Sequence, residues 1–133
     1  MRVLDASFLI DYLNDVNAAT EYVTSHATER FIVPLPAYAE VLVGEGNQPG
    51  PADISGAQNA LAWTEVYDVT DRHAVIGAEI ADEVDPEGPY LGGCDALIAA
   101  VGRELNAPVV SNDGDLTHEE TKKVVDVEEY RDF

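Results

Sequence analysis

Residues 93–116 read GCDALIAAVGRELNAPVVSNDGDL. Leu97, Ile98, Val101 and Leu105 recur at helical spacing, so the first half predicts a helix starting between Gly93 and Asp95. Residues 108–111, PVVS, then predict a short apolar strand that runs into an acidic turn. A helix feeding directly into such a strand is a building unit of a parallel sheet. In open parallel sheets, sites form outside the carboxyl ends of the strands. Asp113 falls at that place, and Asp95 lies in the first turn of the helix before it.

The rest of the chain repeats this alternation. Further strands are expected at residues 2–4, 31–33, 65–67 and 124–127. Ser7 can cap a helix to about Asn14 that buries Phe8, Leu9 and Leu13, and Asn17 can cap a second with Tyr22 and Val23 inward. Pro36 suits the first turn of a third helix, through Glu40 toward Gly44 or Gly46. Asp53 can cap a fourth, ending near Trp63, and Thr70 a fifth carrying Val75, Ile76, Ile80 and Val84. The stretches 46–51 and 85–93 read as loops, neither long enough to link domains, so residues 1–133 are expected to form one domain. The fold class expected is α/β, a mostly parallel sheet covered by helices.

Composition narrows the function classes. The single Cys94 excludes an internal disulfide framework and an all-cysteine zinc site, and no histidine lies near it in sequence to activate it as a nucleophile. His26, His73 and His118 are too widely spaced for a local metal motif and sit in polar stretches, so they read as surface residues. No apolar run approaches the roughly 18 residues that span a membrane. Asp5 and Asp11 interrupt the opening apolar stretch, which therefore does not read as a signal peptide. A cytoplasmic protein is expected. Neither nucleotide-binding glycine fingerprint occurs. Among the 133 residues, 26 are acidic and 7 basic, a net charge of −19, dispersed along a chain that is 46% hydrophobic. That apolar content argues against disorder. Dispersed acidity fits a halophilic source, because molar salt shortens the Debye length to about 3 Å and screens self-repulsion. Net charge therefore does not exclude a nucleic-acid substrate.

Four carboxylates fall near expected strand ends: Asp5 after the first strand, Glu40 in the helix after the second, Asp95, and Asp113 with Asp115 behind it. Glu40 is the one charge in PAYAEVLVG, a helix that reads as buried on most sides, and no Lys or Arg adjoins Glu40 or Asp95 in sequence. Buried carboxylates without partners must protonate or bind a cation. An all-oxygen cluster suits Mg²⁺ or Mn²⁺. Structural roles stay open for each: Asp5 as a helix cap, Asp95 as a first-turn acid favoured by the helix dipole, Asp113 and Asp115 as turn formers, and Glu40 paired with Arg30 or Arg72.

These motifs resemble the PIN-domain ribonucleases. Asp5-Ala6-Ser7 is similar to their opening D-x-S/T motif, Glu40 in AEVLVG to their helical glutamate, Asp95 in DALIAA to their third acidic motif, and 111–116, SNDGDL, to the closing segment. Leu116 stands where phenylalanine is common. The resemblance covers nearly the whole chain, and its size looks most like the VapC-type toxins. It implies a three-layer α/β/α sandwich with a mostly parallel central sheet. It implies a divalent-metal-dependent endoribonuclease with Asp5, Glu40, Asp95 and Asp113 as the acidic quartet. Ser7 would assist the first aspartate, Ser111 would supply the hydroxyl before the fourth acid, and Asp115 would be a further metal ligand. The substrate would be tRNA, rRNA or mRNA, hydrolysed to 5′-phosphate and 3′-hydroxyl ends. A small antitoxin and a second copy in a homodimer would be the protein partners. A PIN-type nuclease of RNA maturation or quality control, or a non-catalytic module of the same fold, are the alternatives. A receiver domain would need a lysine after its last core strand, and a haloacid-dehalogenase-like phosphatase a D-x-D after its first; both are absent.

Overall fold

The computed structural model describes residues 1–131. Its elements run β1 (Arg2–Leu4), α1 (Ala6–Leu13), α2 (Asn17–Ser25), β2 (Phe31–Pro34), α3 (Leu35–Gly46), α4 (Ile54–Ala60), β3 (Glu65–Tyr67), α5 (Asp71–Glu83), α6 (Gly93–Leu105), β4 (Val109–Ser111), α7 (Glu119–Lys122) and β5 (Val127–Glu129). The five strands form one sheet in the order β3-β2-β1-β4-β5, and every pairing is parallel. All of β2 and β4 is buried, as are Val3 and Leu4 of β1. Continuous burial without alternation means that both faces are covered, which makes the α/β/α sandwich.

The core gathers Phe8 and Leu9 of α1, Ile80 of α5, Ile98 and Val101 of α6, and Val109 and Val110 of β4. Full burial of each large side chain is worth about 1.5–3 kcal/mol. Phe8 packs edge-on against Tyr22 and Tyr130, which joins α1 and α2 to the segment after β5. Trp63 packs against Tyr12 and Phe31, so it is a packing residue. A Cβ on Gly77 would come within 3.0 Å of the Ala96 carbonyl oxygen, so α5 lies directly on the first turn of α6, beside Asp95.

Several local expectations are corrected. Asp5, not Ser7, caps α1: its side chain accepts the Phe8 amide, while Ser7 lies inside the helix. Val16 is the cap residue of α2, and Asn17 is the first helical residue with no side-chain cap bond. The last strand lies at Val127–Glu129 rather than 124–127, because Val124 and Val125 close the turn after α7 through the Thr121 carbonyl. His73 is buried rather than on the surface: its Nδ1 accepts the Thr70 amide at 3.0 Å, and its Nε2 lies 2.8 Å from Glu104. The polar neighbours that made it look exposed are the α5 cap it completes.

Candidate metal centre

Strand order reverses direction beside β1. The chain moves from β1 through β2 to β3 on one side, then crosses to β4 and β5 on the other. A crevice forms at such a switch point, outside the carboxyl ends of the two flanking strands. Asp5 follows β1 there, and Asp113 follows β4.

Asp5 is only 2% exposed. Ser7 Oγ lies 2.8 and 2.9 Å from its two carboxylate oxygens, the Phe8 amide donates to it at 2.9 Å, and the Ser111 hydroxyl donates to it across the sheet. Burial raises the Asp5 carboxyl above its ordinary value, while the donors from Ser111, Phe8 and Ser7 pull it back. The two serines also receive: the Asn112 amide donates to Ser7 Oγ at 3.1 Å, and the Asp113 amide to Ser111 Oγ at 2.9 Å. The ends of β1 and β4 are thus tied together through two hydroxyls. Asp5 thus caps α1 and also stands at the carboxyl end of β1 beside the crevice.

Asp113 has a similar double character. Its Oδ2 accepts the Asp115 and Leu116 amides at 3.0 and 3.1 Å, which shapes the turn; Oδ1 takes no part in it. Leu116 is fully buried, so an aliphatic side chain anchors the turn at the position where the resemblance leads one to expect an aromatic. Asp95, Asp113 and Asp115 each bring a carboxylate oxygen to within 4.8 Å of the others. Asp95 is pushed up to about 6, first by burial and then by the charges of Asp113, Asp5, Asp115 and Glu40. Asp95 is therefore the acid on which the charges of the other four bear.

Glu40 departs from its expected setting. It is exposed, because α3 buries only Ala37 and Val41 fully and leaves Leu35 and Val43 in solvent. The apolar run around it was a surface in part, not a core. Glu40 does not pair with Arg30 or Arg72; those hold Glu65 and Glu104. It lines a groove of about 490 Å³ with Ile10, Leu13, Val41, Glu45 and Asp53.

The donor set fits a hard divalent cation. It is all oxygen, its carboxylates repel one another, and the protein supplies no cation to them. Each of the seven basic residues is already in an ion pair elsewhere: Arg2, Arg30, Arg72, Arg103, Lys122, Lys123 and Arg131 hold Glu29 and Glu128, Glu65, Glu104, Glu83, Glu129, Glu120 and Asp11 respectively. Of the five acids that the sequence singles out, Asp95, Asp113 and Asp115 meet within 4.8 Å of one another, whereas the cross-sheet bond from Ser111 to Asp5 was not anticipated; the serine's place at a strand end next to Asp113 was the available signal.

Comparison with known proteins agrees with this architecture. The DNA-bound VapBC structure from Salmonella typhimurium is similar at a TM-score of 0.78, with 18% identity and 98% of both chains covered. A toxin–antitoxin complex from Klebsiella pneumoniae matches at 0.76, with 17% identity and 100% of both chains. VapBC2 from Rickettsia felis, bound to a promoter DNA fragment, also matches at 0.76, with 17% identity and 98% of both chains. No curated protein matches the sequence. At these identities the structures establish the fold alone. The PIN domain sequence model matches residues 2–122, nearly the whole chain, and the protein therefore belongs to the PIN-domain family.

Proposed function

We propose that this protein is a divalent-metal-dependent endoribonuclease and the toxin of a VapBC-type toxin–antitoxin pair. The observation that carries the reading is the convergence of Asp95, Asp113 and Asp115, with Asp5 and Glu40 close enough to raise Asp95. Asp95, Asp113 and Asp115 would hold Mg²⁺ or Mn²⁺, with Asp5 and Glu40 beside them. Such an ion, when bound, supplies an acidified water near neutral pH and neutralises charge on a phosphodiester.

The protein's own groups do the positioning. Ser7 and Ser111 fix the Asp5 carboxylate in one orientation and offset part of the rise that burial causes. The Asp113–Leu116 turn holds Asp113 by two backbone amides on Oδ2 and leaves Oδ1 out of that turn. Asp95, at about 6, is ionised at neutral pH and protonated in mild acid. The products would carry 5′-phosphate and 3′-hydroxyl ends.

The groove beside Glu40 supports an antitoxin partner. It offers apolar Ile10, Leu13 and Val41 alongside Glu40, Glu45 and Asp53, which suits an amphipathic helix carrying basic side chains. Exposed Leu35, Val43 and Ile54 leave apolar surface for a second copy. No helix among the described residues is long and apolar enough to cross a membrane. A cytoplasmic setting, where RNA is met, accords with this.

The test is cleavage of a mixed tRNA and rRNA pool in molar KCl with Mn²⁺ or Mg²⁺, using EDTA and Asp5→Asn as controls. Discrete fragments that require both the ion and Asp5 are expected. End groups carrying a 2′,3′-cyclic phosphate would overturn the hydrolytic scheme.

A further inference from the structure

Tyr90 is 92% exposed, far more than any other large apolar side chain of the described residues. It is not on a frayed segment. The loop between α5 and α6 is tied by the Gly88 amide to the Asp85 carbonyl at 2.7 Å and by the Glu87 amide to Asp85 Oδ1 at 2.9 Å. Leu91, the next residue, is buried and anchors the far side. Pro89 precedes it and removes a torsional freedom. The loop thus holds a bare aromatic ring in water, five residues before Asp95. Five residues reach at most about 17 Å, so the ring stands within a few nucleotides of the acidic cluster.

A pocket of about 440 Å³ opens beside the ring, with Val84, Pro86, Pro89 and Leu91 among its walls. Its charged lining groups, among the described residues, are Asp82 and Asp85, both hydrogen-bond acceptors. Among the described residues, each of the seven Lys and Arg side chains already holds a carboxylate. A protein of net charge −19 must therefore hold single-stranded RNA largely by contacts other than phosphate–cation pairs. Stacking of a base on an aromatic ring is such a contact, and it needs no charge.

We infer that Tyr90 and the pocket beside it form a nucleobase-binding subsite. An unpaired base of the RNA stacks on the Tyr90 ring and turns its edge toward Asp82 and Asp85. Carboxylates accept from exocyclic amino groups, as with N4 of cytosine, whereas uracil has no amino group and offers only its N3 imino hydrogen, so the subsite favours adenine, cytosine or guanine over uracil. The inference rests on the nuclease reading for its substrate class, and it adds the residue that grips the strand.

The experiment measures binding of short fluorescein-labelled oligoadenylate and oligouridylate in molar KCl, with Ca²⁺ as the added ion, for the full chain and for Tyr90→Phe and Tyr90→Leu. Leucine keeps an apolar side chain and removes the π-face. Thermal unfolding of each variant confirms folding, and pool cleavage by the unmodified chain is run alongside. The expected result is oligoadenylate bound more tightly than oligouridylate, Tyr90→Phe within about twofold of the parent, and Tyr90→Leu weaker by about fivefold or more. Equal binding by parent and Tyr90→Leu overturns the subsite while leaving the nuclease intact. A Tyr90→Leu variant that binds RNA normally but loses self-association also overturns it, and assigns the ring to a protein contact. Neither binding nor cleavage by the parent chain overturns both readings together.

Discussion

The hydroxyl of Ser111 stands between the ends of two strands: it donates to the Asp5 carboxylate, and its oxygen accepts the Asp113 amide. Ser111 is fully buried and Asp5 nearly so. Removing the hydroxyl by Ser111→Ala leaves a buried carboxylate short of a donor and a half-buried amide short of an acceptor. The expected cost is about 1–3 kcal/mol of stability, with activity reduced beyond what the lost stability explains. Asp5→Asn keeps a side-chain oxygen to accept the Phe8 amide and removes a charge that burial disfavours, so it should fold at least as well as the parent while losing activity. Chemical denaturation of both variants checks this, and an unfolded Asp5→Asn would contradict it.

The pH dependence follows from Asp95. Its carboxyl titrates near 3.8 in the unfolded chain and about 6 in the folded one. Between those values the folded state holds a proton that the unfolded state has released. The contribution of Asp95 to the stability of the ion-free protein is therefore lost as pH rises from about 4 to about 6, and levels off above. Asp95→Asn removes this contribution, leaving that of Asp5 with the same sign, and should raise the thermal midpoint at pH 7 in EDTA, with little change near pH 3. Divalent ions need the ionised carboxylate, so their stabilising effect should grow over the same interval, giving the opposite slope. Midpoints recorded across pH with EDTA and with Mn²⁺ separate the two trends. A lower midpoint for Asp95→Asn in EDTA at pH 7 would falsify the assignment.

Ion binding should rank the acids by their place in the cluster. Asp113 and Asp115 lie with Asp95 inside a 4.8 Å set, whereas Glu40 acts on it from the exposed face of α3. Calorimetry with Mn²⁺ should show Asp113→Asn and Asp115→Asn each weakening affinity by at least about tenfold, and Glu40→Gln by less. At an ion concentration of about 100 times Kd, the parent gains about 2.7 kcal/mol of stability. A Glu40→Gln loss that exceeds the Asp115→Asn loss would shift the centre toward α3.

Much of the fold around these acids was legible in the sequence. The helix at Gly93–Leu105 and the strand after it stood out because Leu97, Ile98 and Val101 carry the helical period and Pro108 blocks its continuation. What escaped the sequence depended on partners far along the chain. Glu40 looked buried because alanines and valines surround it, yet apolar composition does not say how many sides of a helix are covered. The last strand was misplaced because Val124 and Val125 are more apolar than the true strand. Glu128 and Glu129 of that strand are neutralised by Arg2 and Lys122, which are distant or on another element. His73 looked solvated because its burial is decided by Glu104 on α6.

His73 yields a stability prediction independent of the metal centre. The amide it accepts at Nδ1 requires that nitrogen to be unprotonated, so the proton sits on Nε2 and faces Glu104. Tyr67 donates to the same carboxylate oxygen at 2.5 Å. His73→Ala removes the cap and a bond to a charged group, a loss of about 2–4 kcal/mol. Glutamine is the usual residue at this position of a capping box, so His73→Gln should recover about 1 kcal/mol of that. Equal denaturation midpoints for the two variants would show that the cap contributes nothing.

Salt should act on RNA binding in the unusual direction. A nucleic-acid-binding protein that uses six to ten Lys or Arg contacts loses about 10³–10⁵ in affinity between 50 and 200 mM salt, because each contact releases a counterion. Here the seven basic side chains already hold glutamates or aspartates. A phosphate must displace one of those partners to gain a contact, so few counterions are released. Meanwhile the net charge of −19 repels the RNA, and added salt screens that repulsion. The first effect is nearly absent and the second remains, so affinity measured from 0.1 to 2 M KCl (roughly the range over which the Debye length contracts from about 10 Å to below 3 Å) should hold steady or rise. Circular dichroism at each salt concentration distinguishes this from salt-induced folding. A steep negative slope of log affinity against log salt would mean that the ion pairs open to RNA, and would locate the grip on Arg72 or Lys123, the most exposed basic side chains among those pairs.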